Sequence, residues 1–115
     1  MKTFNDWLNE GRKVTNEWHA HISRVKCDDG FSISIQASKS HYSSPRETFR
    51  DVQQYSEFEL GYPSFADDTL LEYAEDADTP TATVYGYVPR DVIERVIASH
   101  GGIVELENHA SLVGI

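Results

Sequence analysis

The segment from Asp28 to Gln36 reads DDGFSISIQ. Phe31, Ile33 and Ile35 alternate with Ser32, Ser34 and Gln36. Successive strand side chains point to opposite faces, so this run reads as a strand with one buried and one wet face. Strict alternation belongs to antiparallel sheets, because buried parallel strands read as continuous apolar runs. Asp28-Asp29-Gly30 supplies the turn in front of the strand, with glycine for the positive φ of a tight hairpin. The other arm begins near Val14, where the period is again two: Trp18, Ala20 and Ile22 fall on one side, His19, His21 and Ser23 on the other. This hairpin sets the fold class as an antiparallel sheet.

The remaining elements follow from local pattern. Thr3 caps a short N-terminal helix whose apolar stripe is Phe4, Trp7 and Leu8, and Gly11 ends it. The polar stretch 38–47 (SKSHYSSPRE) has no apolar period and reads as a loop, with Pro45 pushing Ser44 out of the helical region. Residues 55–62 alternate again, placing Phe58, Leu60 and Tyr62 on one side and Glu57 and Glu59 on the other, with Gly61 and Pro63 as the stop. Residues 65–78 (FADDTLLEYAEDAD) read as a short helix or structured loop, and 83–88 as a fourth strand. Pro89 fits the first turn of a final helix with the stripe Val92, Ile93, Val96 and Ile97, Arg95 and His100 near its negative end, and Gly101-Gly102 as its stop. A last short strand is open at 103–107. Hairpin-linked strands with terminal helices make an α+β fold: an antiparallel sheet of about four strands, the short N-terminal helix and the C-terminal helix on one face. At 115 residues the expectation is one domain, 1–115.

Charge narrows the function more than any motif does. The net charge is −9, and no lysine or arginine lies between Arg50 and Arg90. That interval holds Asp51, Glu57, Glu59, Asp67, Asp68, Glu72, Glu75, Asp76 and Asp78, while the ten acids elsewhere are matched by all ten bases. Direct nucleic-acid binding needs clustered Lys and Arg, so it is disfavoured; a basic partner surface is favoured. The single cysteine, Cys27, excludes an intrachain disulfide and suits a reducing cytoplasm. No apolar run approaches the roughly 18 residues of a membrane span, and the start of the chain lacks the pattern of a signal peptide. The expected location is cytoplasmic.

Chemistry-bearing residues are few. His19 and His21 form an H-x-H pair with both rings on one side of a strand, a spacing used by metal sites, but a third ligand is needed and His41, His100 and His109 are scattered. Cys27 sits beside Asp28 and Asp29, whose charge opposes a thiolate, so it reads as filler. No nucleophile elbow, phosphate-binding glycine loop or H-E-x-x-H is present, and the acidic clusters lack the glycine of a calcium loop. No cofactor and no catalytic residue are assigned. Two regions stand out for partner binding. The loop His41 to Glu47 concentrates Tyr42, Arg46 and hydroxyl groups. The carboxylates Glu57, Glu59, Asp67, Asp68, Glu72, Glu75, Asp76 and Asp78 could line one surface that imitates the charge of nucleic acid.

Across residues 29–38 (DGFSISIQAS), 41–47 (HYSSPRE), 55–64 (YSEFELGYPS) and 84–103 (VYGYVPRDVIERVIASHGGI), the chain resembles small acidic accessory proteins of tailed bacteriophages and prophages. The resemblance transfers no active site. It implies a setting in which such proteins act on host machinery, including as anti-CRISPR or anti-restriction inhibitors. The leading expectation is an acidic interaction protein, not an enzyme, that occupies the basic surface of a host nucleic-acid-binding defence protein in the bacterial cytoplasm. The alternatives are a small assembly protein forming a homodimer through its sheet edge or aromatics, and a metal protein or enzyme built on His19, His21 and the 41–47 loop.

Overall fold

A computed structural model describes residues 2–107. The Asp28–Gly30 turn closes a hairpin between β3 (Val25–Cys27) and β4 (Ser32–Gln36), with Val25 opposite Ile33. Gly30 has φ of 94°, and the Asp29 carboxylate accepts the Phe31 N–H, so the turn uses both residue types for their local chemistry. β4 is the centre of a five-stranded antiparallel sheet of order β6-β5-β4-β3-β7, in which β5 is Glu57–Gly61, β6 Val84–Pro89 and β7 Ile103–Leu106. Register puts Ile35 against Leu60 and Phe58 against Val88. These side chains, with Val25, Phe31 and Ile33, are buried in one contiguous core.

Both helices cover that core. α1 (Phe4–Gly11) starts with a capping box between Thr3 and Asp6; its Leu8 is fully buried, and Phe4 meets Phe58 edge-on at 5.8 Å. α2 (Arg90–Ser99) buries Val92, Ile93, Val96 and Ile97, the stripe read from the sequence. Pro89 is the flanking cap of α2 and the last residue of β6, one position earlier than its sequence placement. Among the described residues no helix is long and apolar enough to cross a membrane.

The sheet differs from the expected four strands in three places. First, the arm beginning at Val14 is not one strand. The Asn16 carboxamide accepts the Trp18 N–H, folding a turn that separates β1 (Arg12–Asn16) from β2 (His19–Ile22) and makes them a second, two-stranded sheet. Trp18 is therefore 55% exposed on the turn and does not join Ala20 and Ile22, which are buried. Second, the wet face of β4 is mostly dry. Past Ser23 the chain leaves the ladder, and the Gln36 side chain fills the gap, accepting the Ile22 N–H at 2.8 Å and donating to its carbonyl at 2.7 Å. Ser32 is buried under Arg24, which donates to its hydroxyl. A period-two pattern counts hydroxyls and carboxamides as wet, but burial is open to them when they are fully bonded. Third, Tyr62 does not align with Phe58 and Leu60: it follows β5 with φ of 52° and is 52% exposed. The 103–107 segment does pair, as β7 against β3.

Candidate functional site

The 41–47 loop is irregular chain held at fixed points. Ser44 forms a backbone bridge with Glu57, and the Tyr42 carbonyl accepts the Tyr87 N–H at 3.0 Å. The two β5 carboxylates complete the attachment: Glu57 accepts the Ser44 hydroxyl at 2.7 Å and Glu59 accepts the Tyr42 N–H at 3.0 Å. Tyr42 lies on Gly86, where an added Cβ would meet that of Tyr42 in ordinary van der Waals contact at 3.4 Å. Its ring is 5.9 Å from that of Tyr87, and the Arg46 guanidinium stands over it at 5.4 Å. Tyr87 has φ of 52° and sits where β6 carries one extra residue against Phe58–Leu60. Such a bulge re-aims a side chain, here keeping a large aromatic exposed on the sheet. Within the loop the His41 ring contacts the Ser38 hydroxyl at 2.6 Å. Burial pushes the His41 imidazole down, with Glu59 opposing and Arg12 and Arg46 reinforcing the shift.

The acidic segment attaches to the same strand. A 3-10 helix spans Asp68–Tyr73, capped by Asp67, whose carboxylate accepts the Thr69 N–H; its Leu70 is buried in the core. Ala74 bridges to Tyr85, and the Glu75 N–H bonds the Val84 carbonyl. Asp76 closes the next turn, accepting from the Asp78 N–H and the Thr79 hydroxyl. The Glu75 attachment to Val84 and the Tyr42 attachment to Tyr87 are three residues apart on β6, about 10 Å along a strand. The loop and the acidic segment, two separate candidates in the sequence, thus meet on one strand.

The eight named carboxylates divide into two groups. Glu57 and Glu59 anchor the loop, and Asp67 caps the 3-10 helix while contacting His100. Asp68, Glu72, Glu75, Asp76 and Asp78 are exposed, and among the described residues none of the five forms an ion pair. Sequence reasoning missed His100, whose ring joins the Asp28–Gly30 turn to the start of the acidic segment. It also missed Tyr87, since a non-glycine residue at positive φ leaves no sequence signal.

The third reading finds less. His19 contacts the Asn16 carboxamide. With His21, Lys13, Trp18 and His41 it lines an open groove of about 350 Å³. Among the described residues no group of three His, Cys, Asp or Glu side chains is placed to share an ion; His109 lies outside those residues. Cys27 is buried, and burial followed by the nearby Asp29 charge pushes its thiol up to about 11. No protein-family model matches the chain, and neither does any curated protein or solved structure.

Proposed function

We propose that this protein acts by binding another macromolecule and not by catalysis, presenting the carboxylates of residues 68–78 to a basic surface on the partner. The supporting observation is that these five acids are exposed and, among the described residues, form no ion pair, yet are set on anchored backbone. Leu70 plugs the core, Asp67 and Asp76 cap the turns, and Ala74 bridges to β6. A charge array on anchored chain loses little conformational entropy on binding, which is what a preformed docking surface requires. It also repels nucleic acid while attracting the surface that holds nucleic acid. In the phage setting implied by the sequence resemblance, the partner is a nucleic-acid-binding defence protein of the bacterial host, and occupancy of its groove inhibits it in the host cytoplasm.

The test is competition. The partner is captured from bacterial lysate, identified by mass spectrometry and purified, and its complex with this protein is challenged with duplex DNA or RNA. The proposal predicts mutually exclusive binding. A ternary complex in which the partner holds both ligands at full affinity would overturn it.

A further inference from the structure

We propose that His100 is a pH-operated clasp: doubly protonated, its ring ties the start of the acidic segment to the body of the protein, and on losing a proton it lets that end go. The geometry is specific. Nδ1 lies 2.6 Å from the Asp29 carboxylate and Nε2 lies 2.8 Å from that of Asp67. An ionised carboxylate only accepts, so both contacts are hydrogen bonds only when both ring nitrogens carry protons. A neutral imidazole turns one nitrogen lone pair toward a carboxylate oxygen at hydrogen-bond distance, and that contact becomes repulsive. The ring is 11% and the Asp67 side chain 13% exposed, so water cannot simply take over a bond lost on that side.

The surroundings favour the charged form. The His100 ring stacks on Phe31 at 3.9 Å with an interplanar angle of 4°, and meets Phe65 edge-on at 5.6 Å. A cation over an aromatic face is attractive. His100 closes the C-terminal end of α2, where its own N–H bonds the Val96 and Ile97 carbonyls and the helix dipole favours a cation. From the β3–β4 turn it faces Asp29, with Asp28 and the Cys27 thiol beside it. Asp28 is packed so close to Gly101 (φ 90°) that a Cβ there would fall 2.8 Å from its own. From the acidic segment it faces Asp67, and behind Asp67 lies the Tyr85 hydroxyl of β6. Among the described residues, the ionisable groups that act on the His100 charge are the carboxylates Asp29 and Asp67.

Burial alone pulls the His100 imidazole down, but the hydrogen bonds to Asp29 and Asp67 and the charges of both outweigh it, leaving the group above its ordinary 6.5. The His100 bond first, and the Phe31 N–H second, hold the Asp29 carboxyl below its usual range. For a group raised on folding, the stabilisation is complete below the unfolded value near 6.5 and is lost as pH rises through the raised one. The clasp is thus closed in mild acid and opens on the alkaline side. The end released is Asp67, which caps Thr69 and leads into the 3-10 helix. The consequence for partner binding, a looser acidic surface at higher pH, rests on the proposed function; the clasp itself does not.

The experiment is amide hydrogen exchange by NMR on the free protein from pH 5.5 to 9, with the His100 ring shifts followed in parallel. Thr69 and Leu70 are the reporters, since their N–H groups bond Asp67. Their protection factors, corrected for intrinsic exchange, should fall as pH rises, with the same midpoint as the ring. His100→Gln should show low protection at every pH. Asp29→Asn, a milder change on an exposed turn, should move the midpoint down. Flat protection while His100 titrates, an unshifted ring midpoint, or a ring still protonated at pH 9 would each overturn the clasp. Because no partner is present, those outcomes leave the proposed function standing. Conversely, a complex indifferent to the acids of 68–78 would remove that function and leave the clasp.

Discussion

Residues 37–56 and 67–78 both lie outside the strands and the two α-helices, and they are fixed in opposite ways. The first stretch is held by cations directed at its backbone. Arg12 donates to the carbonyls of Ala37 and Phe49 and to the Tyr55 hydroxyl; Arg90 donates to the carbonyls of Val52 and Tyr55 and to the Asn5 side chain. Tyr55 extends the network, accepting the Phe49 N–H and donating to the Glu47 carbonyl. The second stretch contains no cation. Its acids cap turns through their own backbone, and the rest of its hold is Leu70, the bridge to β6 and, at its first residue, the contact of Asp67 with His100. A guanidinium that satisfies several half-buried carbonyls is committed to structure. A carboxylate on an exposed turn stays available to a partner. Charge is internal in one loop and external in the other.

The contrast fails first if the scaffold is misassigned. Ile33→Ala should destabilise the protein by about 2–5 kcal/mol in a urea melt, the cost of a truncated core residue; a loss under about half a kcal/mol would mean that β4 does not face the core. Arg90→Met should follow closely, at about 2–4 kcal/mol, because it strands the Val52 and Tyr55 carbonyls. That loss should be nearly the same at low and high salt, unlike the loss of an exposed ion pair. Glu72→Lys with Glu75→Lys should change stability by less than about half a kcal/mol, since neither side chain has a structural partner among the described residues. A larger loss would place these acids with the arginines as scaffold. Cys27 should react with a thiol reagent only as the protein unfolds, given its burial and a thiol pushed up to about 11.

The core half of this contrast is legible in the sequence because it is periodic. Phe31, Ile33, Ile35 and the α2 stripe announce their burial through spacings of two and of three to four, and all of them are buried. What hides is made by side chains bonding backbone, which has no period. The Asn16 carboxamide turns the chain at Trp18, Gln36 substitutes for a strand at Ile22, and Arg12 and Arg90 staple a loop dozens of residues away. The acidic segment was visible as composition, but its division into anchors and free charges was not. Glu57 and Glu59 look like Glu72 and Glu75 until the loop that they hold is in place. His100 meets Asp67 across 33 residues with nothing local to mark the pair.

The central claim is that the exposed acids of 68–78 guide the protein onto a basic partner. Association rates with the purified partner, at two salt concentrations, test it directly. Glu72→Lys/Glu75→Lys is compared with Glu94→Lys/Glu105→Lys, which makes the same change in net charge at exposed positions outside the segment. Glu57, Glu59 and Asp67 are left intact because their loss would loosen the loop or the 3-10 helix. The account predicts that the first pair slows association about tenfold or more at low salt and that the difference shrinks at high salt, the behaviour of steering charges. Equal slowing by both pairs would reduce the segment to a contribution to net charge. No slowing by either, with binding lost in Tyr42→Ala, would move the interface to Tyr42 of the 41–47 loop and contradict the account.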